Sequence, residues 1–364
     1  MVFRRKERDF KRRALGVFVT GMMFLAGGMG LLWTARNQTG FAEWYSQNVY
    51  SVLVGSVGRV FGMIPVSASE LFLYLLLAGM VWQGIRHRKR LLYLACFYFM
   101  CASALLFLYA ANCGVNYYRK PFSAWFFTGV KQSAGADSGE LLRMCEWLTG
   151  NVNEAWERME ADSGSYHGMQ GKGREAMMRL AKEQPVLAGF YPRPKPVMVS
   201  WILSVQQCSG VYAPFTVEAN YNRDMVAYNI PHTICHELSH LRGFMREDEA
   251  NFIGYLACLE SDSADYNYSG YLLGWIYAGN ALAKENFEEY ARLHGKLKEE
   301  VRRDLAANHQ FWDQYEGKAA EAATHLNDTY LKANGQSEGV KTYGRVVDLM
   351  LYDFLENRMD SACN

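Results

Sequence analysis

Two long runs of this chain carry no charge, and they limit its fold more than any other feature. Residues 14–35 and 91–118 contain no Asp, Glu, Lys or Arg. Each is long enough to cross a hydrocarbon core of about 30 Å as a helix. A third run, residues 68–85, is shorter and contains Glu70. The string Ser67-Ala68-Ser69-Glu70 after Pro65 reads as a capping box, which accounts for that acid at a helix entrance. The pattern predicts transmembrane helices at about 14–35, 68–85 and 91–112, so that residues 1–118 form a membrane anchor. Residues 40–66 are also apolar, but Arg59 interrupts them, and the segment reads as interfacial or re-entrant. Basic residues crowd two places, before the first run (Arg4 to Arg13) and between the second and third (Arg86, Arg88, Lys89, Arg90). Both clusters should face the cytoplasm. The N-terminus is then cytoplasmic, and residues 119–364 are extracytoplasmic at a plasma membrane crossed three times. The first run ends on Leu31, Leu32 and Trp33, which argues against a cleavable signal peptide.

The chemistry is concentrated in His236-Glu237-Leu238-Ser239-His240. Residues four apart lie one above the other on a helix, so both imidazoles can reach one metal ion. The glutamate between them then lies where it can take a proton from water. Pro231 in the expected first turn and Gly243 just past the end frame a helix around the motif. Catalytic zinc sites keep three protein ligands and leave one position open. A histidine six residues after His240 would complete one known pattern, but that position holds Arg246, which stays protonated. The alternative is a carboxylate from the helix opening at Arg246-Glu247-Asp248-Glu249. Glu249 shares a helical face with Phe252, Ile253 and Leu256, and a carboxylate there is costly to bury unless paired or bound to metal. Glu249 is therefore the expected third ligand, with pairing to Arg242 or Arg246 as its structural alternative. Glu247 and Asp248 suit the first turn of a helix, where negative charge is favourable. His232, one turn before His236, is expected beside the site or as an ordinary helix-start residue.

The rest of residues 119–364 reads as α+β and mainly helical. Strand character appears at 211–220 and 225–228, before the metal helix. Helices are expected afterwards at 247–260, 269–284, 285–307, 310–332 and 340–356. Pro214 marks 212–220 as an edge strand able to pair with an extended peptide. Thr216, Glu218 and Asn220 on it are candidate substrate contacts, and Tyr343 and His309 are candidate partners for a developing oxyanion. The eight cysteines include no CxxC, so a cysteine-type zinc site is not indicated. One bridge among Cys145, Cys208, Cys235, Cys258 and Cys363 is conceivable outside the cytoplasm. Net charge is +1, and no basic patch in this half suggests nucleic acid.

Several strings together resemble a bacterial family. They are Pro214-Phe-Thr-Val-Glu-Ala-Asn220, Cys235-His-Glu-Leu-Ser-His240, Glu247-Asp-Glu-Ala-Asn-Phe-Ile-Gly-Tyr-Leu-Ala257 and Tyr330-Leu-Lys-Ala-Asn-Gly-Gln336. The chain is similar through most of its length to the domain-of-unknown-function family numbered 3810, whose members are membrane-anchored and carry HExxH. The resemblance implies N-terminal transmembrane helices followed by a zincin-like domain of gluzincin type. It implies no substrate. The expectation is a membrane-anchored zinc metallopeptidase with His236, His240 and Glu249 on Zn2+, Glu237 as general base, and the lipid bilayer and a peptide or protein substrate as partners. A sensory zinc protein that binds a peptide or cell-wall ligand is the alternative, and HExxH also leaves non-peptide amides open.

Overall fold

The computed structural model describes residues 2–127, 138–162, 166–336 and 345–359. Tyr343, Cys363 and the start of the last expected helix lie outside them. The chain divides into two compact units, Met1–Arg119 with Ala213–Glu218, and Lys120–Tyr212 with Ala219–Asn364.

The first unit is helical: α1 (Val2–Asn37), α2 (Phe41–Tyr45), α3 (Ser51–Gly62), α4 (Ala68–Arg86) and α5 (Leu91–Asn112). Three stretches, Phe10–Asn37, Ala68–Arg86 and Leu91–Asn112, are long and apolar enough to cross a membrane. Helix α1 lies against α5 along a face of small residues. A Cβ on Gly28 would come within 3.1 Å of the Phe107 backbone, and one on Gly21 within 2.8 Å of the Phe99 ring. Such residues let apolar helices approach backbone to backbone. The 40–66 segment is helical too: Tyr45 donates to the Ala111 carbonyl (3.1 Å), and Arg119 pairs with Glu43 (2.8 Å).

At the N-terminus of α4, Ser67 accepts from the Glu70 amide as the capping pattern predicts, while Glu70 accepts from Tyr74. A second carboxylate caps the same turn. Glu218 accepts from the amides of Ala68 (3.4 Å) and Ser69 (2.7 Å) and from the Thr216 hydroxyl (2.8 Å). Exposed amides at a helix N-terminus favour negative charge there. Asn112, the last residue of α5, donates to the Pro214 carbonyl, and Phe215 stacks on Phe72.

The second unit is mainly helical with three short strands. Helices α6 (Ser123–Phe126), α7 (Ser138–Ala161) and α8 (Met169–Glu183) precede β1 (Lys195–Pro196), α9 (Trp201–Val205), β2 (Gly210–Ala213) and β3 (Glu218–Tyr221). The sheet order is β1-β3-β2, with β1 parallel to β3 in the register Lys195↔Asn220. The strand expected at 211–220 is thus a hairpin whose turn contains Pro214, and residues 225–228 form bends and a turn. There follow α10 (Asn229–His240), α11 (Glu247–Leu259), α12 (Ala264–Glu285), α13 (Phe287–Lys296), α14 (Glu299–Asp313), α15 (Lys318–Ala333) and α16 (Arg345–Asp353). The helix expected over 285–307 is two helices. Asn153 enters the break, donating to the Lys296 carbonyl and accepting from the Lys298 amide.

Helices α10, α11 and α12 form the centre of this unit. Every residue of α11 from Asp248 to Cys258 is buried. Ser269 of α12 bonds the Tyr228 carbonyl and the His232 amide, tying α12 to the start of α10. All cysteines among the described residues are free thiols.

Candidate metal centre

Helix α10 carries the HExxH motif in the predicted frame. Pro231 lies in its first turn, and Gly243 adopts φ +82° just beyond its end. That left-handed residue, which glycine adopts at little cost, turns the chain back so that the Phe244 carbonyl reaches His240. His240 Nδ1 lies 2.7 Å from this carbonyl, and His236 Nδ1 lies 2.8 Å from Asn251 Oδ1. A carbonyl oxygen only accepts, so each Nδ1 carries a proton, which leaves Nε2 as the atom each ring can offer to a metal. Such anchoring fixes the ring and tautomer of metal-ligating histidines.

The third group is Glu247. Ligand atoms of His236, His240 and Glu247 all lie within 4.8 Å of one another, and His236 Nε2 is 3.3 Å from Glu247 Oε2. Two ligands about 2.1 Å from a tetrahedral ion stand roughly 3.4 Å apart, so this pair needs little movement to share one. Burial alone would push His236 down. The Glu247 hydrogen bond and charge, with smaller help from Glu237 and Asn251, instead lift it to about 9. His240 goes the other way, to about 4, through burial and the neighbouring His236.

Glu249, the expected third ligand, faces elsewhere. Its carboxylate accepts from the amide and the hydroxyl of Ser123, both at 2.7 Å, and so caps α6. Helical phase accounts for the difference, since positions two apart point to nearly opposite sides of a helix. Arg246 pairs with Asp248 and acts on Glu249 through its charge alone in the smallest contribution to that carboxyl, while Arg242 donates to the carbonyls of Ala188 and Phe190. The apolar face around Phe252 does turn inward, towards Phe122 and Phe126.

Glu237 is 4 % exposed, and its Oε2 has no hydrogen-bond partner. Burial pushes its carboxyl up to about 8, with His236 opposing and Glu247 assisting. Strand β2 passes directly beside it. A Cβ on Gly210 would fall 2.5 Å from Glu237 Oε1 and 2.9 Å from the Asn220 carbonyl oxygen. Only a residue without a side chain allows this approach, a signal visible in the sequence merely as a glycine at the start of a strand. Tyr212 on the same strand faces His240, with ring centroids 6.1 Å apart.

The remaining candidates fall outside this cluster. Thr216 and Glu218 are engaged at the α4 N-terminus, and Asn220 is buried in the sheet. His232 is neutral, driven down to about 3 by burial and by His236, and its Nε2 meets the Asn251 carbonyl at 3.2 Å. It joins α10 to α11. His309 lies on α14 and is not part of the cluster. Tyr277 of α12 takes the position beside His232, ring centroids 6.2 Å apart, and burial followed by the Glu247 charge keeps its phenol protonated.

Two nitrogens and one carboxylate oxygen, with both histidines anchored from behind, fit the donor set of a three-ligand zinc site. The partnerless Glu237 oxygen at the same place is a buried acceptor awaiting a donor. Among known proteins, neither the curated proteins nor the solved structures gave a match. A family match covers residues 45–351, which takes in α4, α5 and all of the cluster. The chain belongs to that family, described as Protein of unknown function (DUF3810).

Proposed function

We propose that this protein is a membrane-anchored zinc hydrolase of zincin type that cleaves peptide bonds, with His236, His240 and Glu247 holding the ion and Glu237 as general base. The observation that carries this reading is the convergence of those three ligands, with each histidine's Nδ1 already committed, around a buried glutamate that lacks a partner. A zinc ion, when bound, supplies a Lewis acid for the carbonyl and brings the pKa of water to about 7.

The chain's own groups do the rest. Glu237 must be ionised to accept a proton, and positive charge within a few Å lowers a carboxyl raised by burial. Its Oε2 then takes the proton of the attacking water and returns it to the leaving nitrogen. Asn251 and the Phe244 carbonyl hold the imidazoles, so no reorganisation is needed as charge develops. Tyr277, beside His232, keeps its proton and is a phenol able to donate to a substrate oxygen. Strand β2 lies at the edge of its sheet beside Glu237, which suits an extended peptide laid along it. The basic clusters in the first turns of α1 and at the end of α4 favour a cytoplasmic N-terminus and an extracytoplasmic site.

The test is metal content and peptide turnover of the full chain in detergent, beside Glu237→Gln. The wild type should hold about one zinc and cleave members of a quenched fluorescent peptide library. The variant should keep the zinc and lose at least about a hundredfold in rate. A fully active variant would refute the mechanism, and a zinc-free folded wild type would refute the reading itself.

A further inference from the structure

Helices α10 and α11 cross backbone to backbone. A Cβ on Gly254 would come within 3.2 Å of the His236 amide nitrogen and 3.3 Å of the His232 carbonyl oxygen. One turn further along α11, Cys258 meets Cys235 of α10, with the two thiols in hydrogen-bonding contact. Both residues are fully buried, and both are free thiols in the structure. Helix α12 closes the place from another side, since a Cβ on Gly270 would fall 2.6 Å from the Cys258 Cβ.

A buried cysteine is ordinarily a small hydrophobe. This pair differs because each thiol has the other as its neighbour. A disulfide requires Cα atoms about 4.4–6.8 Å apart, a spacing that two helices reach only in close approach. Gly254 gives α10 and α11 that approach. The position of the pair in the sequence adds a consequence. His236, His240 and Glu247 all lie between Cys235 and Cys258, so a bond there would hold all three in one covalent loop. Compartment decides whether such thiols stay reduced, because cytosolic reductants keep them so and extracytoplasmic surroundings oxidise them.

We propose that Cys235 and Cys258 form a disulfide that staples α10 to α11. This rests on the extracytoplasmic placement in the reading above and is independent of zinc. One cysteine thiolate attacks the disulfide of an extracytoplasmic thiol oxidoreductase and expels one of its sulfurs as thiolate. The second cysteine thiolate attacks the resulting mixed disulfide and expels the other sulfur. The two cysteines together lose two protons and two electrons, and the oxidoreductase disulfide becomes two thiols. The exchange belongs to folding, before the helices close. Once they have packed, burial and the Cys235 thiol push the Cys258 thiol well up, and a buried protonated thiol is inert. The closed loop then limits the freedom of the unfolded chain around all three candidate ligands.

The test uses cells producing the full chain, quenched in acid and denatured in excess iodoacetamide, with the digest searched for linked peptides by mass spectrometry. A second strain carries the chain fused at its C-terminus to alkaline phosphatase, whose own disulfides, and so its activity, form only outside the cytoplasm. In most copies Cys235 and Cys258 should be recovered in one linked pair of peptides that separates on reduction, with the fusion active. Both cysteines alkylated as free thiols beside an active fusion would overturn the bond and leave the extracytoplasmic placement standing. Both alkylated beside an inactive fusion would overturn the bond and the placement together. Linkage of either cysteine to Cys145, Cys208 or Cys363 would overturn the pairing.

Discussion

Replacing Glu247 and Glu249 one at a time separates the two carboxylates by chemistry. Structural zinc sites with four ligands bind with roughly 10–16 kcal/mol, or about 2.5–4 kcal/mol per ligand, so losing one ligand should cost about 100- to 1000-fold in affinity. At pH 7 part of that loss is masked. Glu247 also holds a proton on His236, whose pKa is about 9, and zinc must displace it. Two pH units below that value, the competition weakens wild-type binding about a hundredfold, and Glu247→Ala relieves it. Zinc affinity should therefore be measured by competition with a chromophoric chelator at both pH 7 and pH 9. Glu247→Ala is expected to show a modest loss at pH 7 and at least about a hundredfold loss at pH 9. Glu249→Ala should bind zinc as the wild type does at both. Its cost falls on stability instead, because two charge-assisted bonds to Ser123 disappear from a buried helix end. After allowance for the desolvation that the carboxylate no longer bears, this amounts to about 1–3 kcal/mol. Zinc lost from Glu249→Ala and retained by Glu247→Ala at pH 9 would refute this assignment of the ligands.

Three further outcomes follow from the same geometry. His236 and Glu237 are both raised on folding, to about 9 and about 8, so the zinc-free fold binds more protons than the unfolded chain, and its stability falls as pH rises from 6.5 to 9. The melting temperature of chelator-treated protein should drop across that window, and a flat or rising profile would contradict the two shifts. Asn251→Ala removes the acceptor of His236 Nδ1 and should weaken zinc about 10- to 100-fold by the same chelator competition, with the fold intact by circular dichroism. Gly210→Ala places a methyl 2.5 Å from Glu237 Oε1 and 2.9 Å from a backbone oxygen that cannot yield. It should cost about 1–3 kcal/mol and lower peptide turnover at least tenfold with zinc content unchanged, whereas wild-type turnover would show that the strand does not position the base.

The HExxH helix was legible because its signals are local. Spacing of four, a proline near the start and a glycine beyond the end all fall between Pro231 and Gly243, and α10 adopts them as read. The apolar helices were legible for the same reason, since length and a scarcity of charge are sufficient. The hairpin was only half legible. Its strand character was visible, but what Thr216 and Glu218 do there depends on α4, almost 150 residues earlier in the chain.

Glu249 shows where periodicity itself misleads. Glu249 was expected on the metal because it shares the apolar face of Phe252, Ile253 and Leu256, where a carboxylate is costly to bury. In the fold α11 is buried all round from Asp248 to Cys258, so its apolar stripe selects one interior neighbour among several. That stripe meets the phenylalanines around α6, where Glu249 serves as a cap, while the opposite side meets α10. A stronger signal was present in the same segment. Glu247 and Asn251 stand four apart and share one face, so a single side of α11 brings a carboxylate to the His236 and His240 cluster and an amide to His236 Nδ1. Polar residues on a buried helix need partners, and those of α11 find them in Ser123, Arg246 and His236. Where a helix is wholly buried, the spacing of its polar residues therefore identifies the site better than the spacing of its apolar ones.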